Sequence, residues 1–114
     1  MAPLPPEPII RHGKLNQTLP YKSPAPYGYG LKITDITPFI TNSDSAYFVI
    51  NGVRSRTMQP AVDGWEEVWQ NDSGNTIDFQ PVTDNGQTVT FYIYNELVVN
   101  SVELYINDEK VILS

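Results

Sequence analysis

Residues 45–58 read SAYFVI, then Asn51-Gly52, then VRSRTM, and this stretch decides the fold class. Asparagine and glycine both accept positive φ, which a two-residue hairpin turn needs at its central positions to match the right-handed twist of the strands it joins. The reading therefore pairs residues 45–50 with 53–58 as an antiparallel hairpin.

Upstream, Leu31, Ile33 and Ile36 make a first strand segment that ends at Pro38 or in the Thr41–Asp44 turn cluster. Downstream, residues 65–70 (WEEVWQ) are read as a strand, although Trp65, Val68 and Trp69 also share a helical face. The turn-rich run Asn71–Asn75 follows at once. Residues 76–82 alternate until Pro81, which removes a ladder donor and so places the segment at an edge or a bulge. After a turn at 83–86, residues 87–95 (QTVTFYIYN) set Val89, Phe91 and Ile93 on one face, with Thr88, Thr90, Tyr92 and Tyr94 on the other. Residues 98–106 put Val98, Val102, Leu104 and Ile106 on one parity, Asn107-Asp108 turns, and residues 109–113 return as a terminal strand. Seven or eight short strands, with no long amphipathic helix, predict an all-β chain. The expected fold is a small antiparallel β-sandwich, jelly-roll-like, over residues 31–114.

Residues 1–30, MAPLPPEPIIRHGKLNQTLPYKSPAPYGYG, follow different physics. Seven of the ten prolines lie here, and each removes a donor and biases its predecessor away from helix, so an extended N-terminal arm is expected. Leu4, Ile9, Ile10, Leu15, Tyr21, Tyr27 and Tyr29 are spaced along it as candidate anchors, with Arg11 and Lys14 as rim contacts. Three readings stay open for this arm: a disordered tail, a strap that orders on a partner, and a segment packed on its own domain.

Charge divides at the same boundary. The arm carries net +2, whereas residues 31–114 carry four cations against twelve carboxylates, net −8. So acidic a body repels phosphate backbones, which argues against nucleic acid as a partner. No apolar run is long enough to span a membrane, and the chain start has neither a basic leader nor an apolar signal core, so no membrane partner and no retained signal are expected. With no cysteine, disulfides and thiolate metal sites are excluded.

Catalysis is tested by inventory. His12 is the sole histidine and lies in the arm, where a general base would lack rigid support. Asp63, Glu66, Glu67, Asp72, Asp78 and Asp84 supply acids for a carboxylate pair, but a body this small has little material for both a core and a walled cleft. Solvated turn acids explain them more simply. Asp72, Asp78 and Asp84 are weak calcium candidates without an EF-hand loop. The expectation is a non-enzyme with no cofactor and no metal. Among the aromatics, Trp65 and Trp69, with Tyr47, Tyr92 and Tyr94 nearby, serve either as core and interface residues or as a sugar-stacking platform. Arg54 and Arg56 are either ion-pair partners or a positive contact strip.

The arm MAPLPPEPIIRHGKLNQTLPYKSPAPYGYG, followed by the strand-rich body from LKITDIT to EKVILS, resembles the small decoration, or cementing, proteins of tailed bacteriophage capsids. The resemblance is one of organisation across the whole chain and carries over no individual residue. It implies a structural role: binding and reinforcing a large assembly on the virion surface, after synthesis in the host cytoplasm. The implied partner is the major capsid protein or another repeated virion protein, with self-association as a further expectation. A carbohydrate- or receptor-binding accessory module on Trp65 and Trp69 is the alternative, and an inhibitor of a host protein is a third.

Overall fold

The computed structural model describes residues 10–16, 21–22, 29–63, 66–93 and 97–114. Twelve strands are described: β1 His12–Leu15, β2 Tyr21–Lys22, β3 Tyr29–Thr37, β4 Ala46–Ile50, β5 Val53–Arg54, β6 Glu66–Gln70, β7 Thr76–Thr83, β8 Thr88–Ile93, β9 Val98–Val99, β10 Val102–Ile106, β11 Glu109–Lys110 and β12 Ile112–Leu113. They form a six-stranded sheet, β12-β1-β3-β8-β7-β6, a four-stranded sheet, β11-β10-β4-β5, and a small β2-β9 pair. The two larger sheets pack into one small, mostly β globule. Phe48 of the four-stranded sheet meets Phe91 of the six-stranded sheet at 4.3 Å between ring centroids, and Phe79 extends the aromatic core at 6.3 Å from Phe91.

The hairpin forms as expected. Asn51 (φ 52°) and Gly52 (φ 80°) turn the chain, Ile50 faces Val53 and Val49 faces Arg54. The ladder then slips by one residue before Ala46 bridges Met58. Ser55 fills the slip: its buried Oγ accepts the Phe48 N–H at 2.9 Å and donates to the Arg56 carbonyl.

Bulges explain where simple alternation misleads. In β6, one extra residue between Glu67 and Trp69 turns both Val68 and Trp69 inward, which in sequence imitates a helical face. In β3, Asp35 at φ 56° is the extra residue opposite β1, so that Ile33 and Ile36, of opposite parity, are both buried. Pro81 lies in a bulge of β7, an interior strand flanked by β8 and β6.

Three expectations are revised. Residues 98–106 are two strands, not one: Asn51 accepts the N–H groups of Asn100 and Ser101 and donates to the Val98 carbonyl, so the chain turns there and Val99 rather than Val98 points inward. The terminal strand is also split. Glu109–Lys110 pairs with β10, buried Val111 crosses between the sheets, and Ile112–Leu113 joins the large sheet parallel to β1, which makes that sheet mixed.

The third revision concerns the arm. Residues 12–15, placed in the extended arm of residues 1–30, take the reading of a segment packed on its own domain: they build β1, an interior strand of the six-stranded sheet, and β3 already begins at Tyr29. No hydrophobic alternation announces β1, because its inward position is a glycine. A Cβ on Gly13 would lie 3.0 Å from Ile33 Cγ2 and 3.4 Å from Ile36 Cγ1, so the β1 backbone rests directly on the core.

Candidate protein interface

The candidate site is the start of β1 and what surrounds it. Arg11, just ahead of β1, turns its side chain inward: Nη2 lies 3.0 Å from Asp44 Oδ2, and Nε donates to the Pro38 carbonyl at 3.1 Å. Both side chains of the pair are about nine-tenths buried, with 10% and 9% exposure. Asp44 is a hub. It also accepts the Thr41 N–H at 2.8 Å, the Thr41 hydroxyl at 3.3 Å and Asn107 Nδ2 at 2.8 Å. Asn107 in turn accepts the Ser45 N–H. The cluster thus joins the N-terminal segment, the turn before β4 and the β10–β11 turn.

Burial pushes the Asp44 carboxyl up, but the Thr41 N–H, Asn107, the Arg11 charge and the Thr41 hydroxyl together outweigh it and hold the group below the usual carboxylate range.

Three large, exposed apolar residues adjoin this buried pair along the main chain and are referred to together as its rim. Ile10, Phe39 and Ile112 are 58%, 48% and 51% exposed, and each is tied by the main chain to the same junction. Ile10 precedes Arg11, Phe39 follows the carbonyl that Arg11 binds, and the Ile112 N–H donates to the Arg11 carbonyl at 2.9 Å. Beside Ile112, an open groove of about 390 Å³ is lined by Val102, Glu103, Lys110, Val111, Ile112 and Leu113. Large exposed apolar side chains gathered in this way mark an interaction surface more often than an inert one.

Of the sequence-derived anchors, Ile10 stands on this rim, Leu15 is half-buried against the core, and Tyr21 and Tyr29 belong to β2 and β3. Leu4, Ile9 and Tyr27 lie outside the described residues. Arg11 is an internal ion-pair partner, not a rim contact, whereas Lys14 is exposed on the outer side of β1. Asp44, Phe39 and Ile112 were not singled out in the sequence, since the pairing of Arg11 with Asp44 spans 33 positions and nothing local announces it.

The alternative sugar platform fares differently. Trp65 lies outside the described residues. Trp69 is a core residue, 3% exposed, with Nε1 donating to the Val53 carbonyl at 2.7 Å. Tyr47 on β4 is stacked on Tyr105 of β10 at 4.8 Å, and the Arg54 guanidinium of β5 lies 3.8 Å over the Tyr47 ring. Because β4 runs between β10 and β5, these neighbours approach the ring from opposite sides and occupy its two faces. The Tyr105 hydroxyl donates to Glu103 at 2.7 Å, and Lys110 stands 3.6 Å from the same carboxylate. The outer face of the small sheet is therefore a self-satisfied chain of contacts.

Among the described residues, no group of three or more His, Asp or Glu side chains is placed to hold a metal ion, and no helix is long and apolar enough to cross a membrane. Comparison with protein-family models, with characterised proteins and with solved structures finds no match for this chain.

Proposed function

We propose that this protein is a non-catalytic binding protein that holds a large, repeating protein assembly together, a bacteriophage capsid being the assembly its organisation fits best. The observation that carries the reading is the position of Ile10. The proline-rich, apolar residues 1–9 are joined to the globule at a point fixed by the Arg11–Asp44 pair and bordered by the exposed Ile10, Phe39 and Ile112. An anchored junction of this kind gives a globular body and an extended segment two separate contacts on neighbouring subunits. The second contact then gains from the high effective concentration set by the first.

In this reading the globule is a small, jelly-roll-like sandwich in the sense that the chain passes repeatedly between its sheets, and the arm proper is residues 1–9. The partner is a major capsid protein or another repeated virion protein, and the site of action is the virion surface. A sugar-binding role would have to rest on Trp65, without Trp69 or Tyr47.

The test is cosedimentation of the full chain and of residues 10–114 with virus particles from the native source. Truncation at residue 31 would remove β1 from the sheet and confound folding with binding, so the cut belongs before Ile10. Saturable binding by the full chain that weakens by about tenfold or more without residues 1–9 is expected. Absence of binding by the full chain would overturn the reading.

A further inference from the structure

We propose that β1 is an exchangeable strand, able to occupy the same place in the sheet of a second copy of this chain and so to link copies. This inference deepens the assembly reading and rests on it for its biological setting, but its structural argument stands alone.

The first observation is how β1 is held. It fills a slot between β12, to which it runs parallel, and β3, to which it runs antiparallel. Main-chain bonds fasten both sides: Leu15 N–H to Ser114 O at 3.1 Å, Ser114 N–H to Gly13 O at 3.1 Å, and Asn16 N–H to Lys32 O at 3.0 Å. Apolar anchoring is slight. His12 and Lys14 are exposed, Gly13 is buried without a side chain, and Leu15 is half-buried. Withdrawal of β1 therefore uncovers little apolar surface of its own, and every bond it loses is restored in an identical slot. Exchange of an identical element is a low-cost route to dimers for this reason.

The second observation is that the slot is written for this strand. It accepts a residue with no side chain where Gly13 lies on Ile33. Two positions earlier it offers Asp44 to an arginine, and three positions later Thr34 Oγ1 accepts Asn16 Nδ2 at 2.8 Å. A foreign strand would have to supply Arg-x-Gly-x-x-Asn, which this chain carries at residues 11–16. A second copy is thus the occupant that the chemistry selects.

Third, the connection is compatible with exchange between touching copies. β2, pairing with β9 over Tyr21–Lys22 and Val99–Val98, is the next described strand after β1. The six residues 23–28 that precede β3 reach about 20 Å when extended. β1 and β2 can then pass as a unit into a copy that touches the molecule near the start of β3, the end at which Leu15 pairs with Ile33.

The absence of cysteine makes the test clean. Lys14 and Thr34 are register partners on β1 and β3. Two single variants of the full chain, Lys14→Cys and Thr34→Cys, are mixed at high concentration, incubated, and treated with a short bifunctional thiol reagent. Exchange yields a covalent Lys14→Cys/Thr34→Cys heterodimer, identified by mass spectrometry, about tenfold above the product of either variant alone. The double variant, linking within a single chain, shows that both positions are folded and reactive. Internal linkage in the double variant together with no excess heterodimer in the mixture would overturn the proposal. That result would leave particle cosedimentation untouched, so the two readings fail separately.

Discussion

Arg11 Nη2 lies 3.0 Å from Asp44 Oδ2, and this contact fixes the N-terminal segment to the turn that leads into β4. The carboxylate also accepts from the Thr41 N–H, the Thr41 hydroxyl and Asn107, so its removal takes the acceptor from a nearly buried guanidinium and three other donors. Breaking such a pair from one side costs more than the pair contributes, because the remaining charge stays desolvated. Asp44→Ala is expected to lower unfolding free energy by about 2–4 kcal/mol in urea denaturation. The double variant with Arg11→Ala should be less destabilised than the sum of the two single variants, the signature of a coupled pair.

The same carboxylate sets an acid limb. Its folded-state pKa lies below the usual aspartate value, so the unfolded chain takes up the proton first as pH falls. Stability contributed by Asp44 is therefore fully present above the unfolded value and is lost progressively as pH drops through the folded one. Thermal unfolding measured from about pH 6 down to about pH 2 should show a decline that Asp44→Asn makes shallower. An unchanged slope in that variant would assign the acid limb to other carboxylates.

Gly86 and Gly52 both have positive φ, 90° and 80°, yet they face different surroundings. A Cβ on Gly86 would overlap the Ile40 carbonyl oxygen and lie 2.9 Å from the Ile40 nitrogen, whose N–H donates to the Gly86 carbonyl at 3.0 Å. Around Gly52 there is nothing within 4 Å. Gly52→Ala should cost about 1 kcal/mol, the conformational penalty alone. Gly86→Ala should cost about 3 kcal/mol, because the backbone at Ile40 has to move as well. Chemical denaturation of the two variants compares them directly.

Trp69 gives a test that separates core from platform. Its ring is buried and its N–H satisfies the Val53 carbonyl across the gap between β6 and β5. Trp69→Phe should cost about 1–2 kcal/mol, chiefly for the carbonyl left unpaired, and Trp69→Ala about 3–5 kcal/mol. In a Trp65→Phe background, emission from Trp69 should be blue-shifted and resistant to iodide quenching. Ready quenching would place the indole at the surface and restore it as a sugar contact.

How much of this was legible in the sequence depends on whether the determining contacts are local. The Asn51-Gly52 hairpin was legible because two adjacent residues encode the turn, and Val89, Phe91 and Ile93 were legible because they recur at every second position of β8, although Thr88 and Thr90 on the opposite face are buried too. Val68 and Trp69 were ambiguous for a definite reason: one extra residue in a strand puts consecutive side chains on one face. β1 was hidden because the partner that makes it an interior strand, β12, lies about a hundred residues away and Gly13 contributes no apolar signal. The candidate interface was hidden in the same way. Ile10 stood out as an apolar residue in a proline-rich stretch, whereas Phe39 and Ile112 gain meaning only when the fold brings their main chains to Arg11.

That junction leads to the most direct test of function. Ile10, Phe39 and Ile112 make little contribution to the core, being about half exposed or more, so Ile10→Ser, Phe39→Ser and Ile112→Ser should each change unfolding free energy by no more than about 0.5 kcal/mol. If the rim contacts a repeated protein surface, these positions lie at the centre of a desolvated patch, where single truncations of large apolar anchors weaken binding by about tenfold. Cosedimentation with native particles should therefore fall for each variant while its melting temperature holds. Lys110→Ser, placed on the polar side of the adjoining groove with its charge largely exposed, should do much less. Equal binding by all four variants and the unaltered chain would move the contact away from the start of β1.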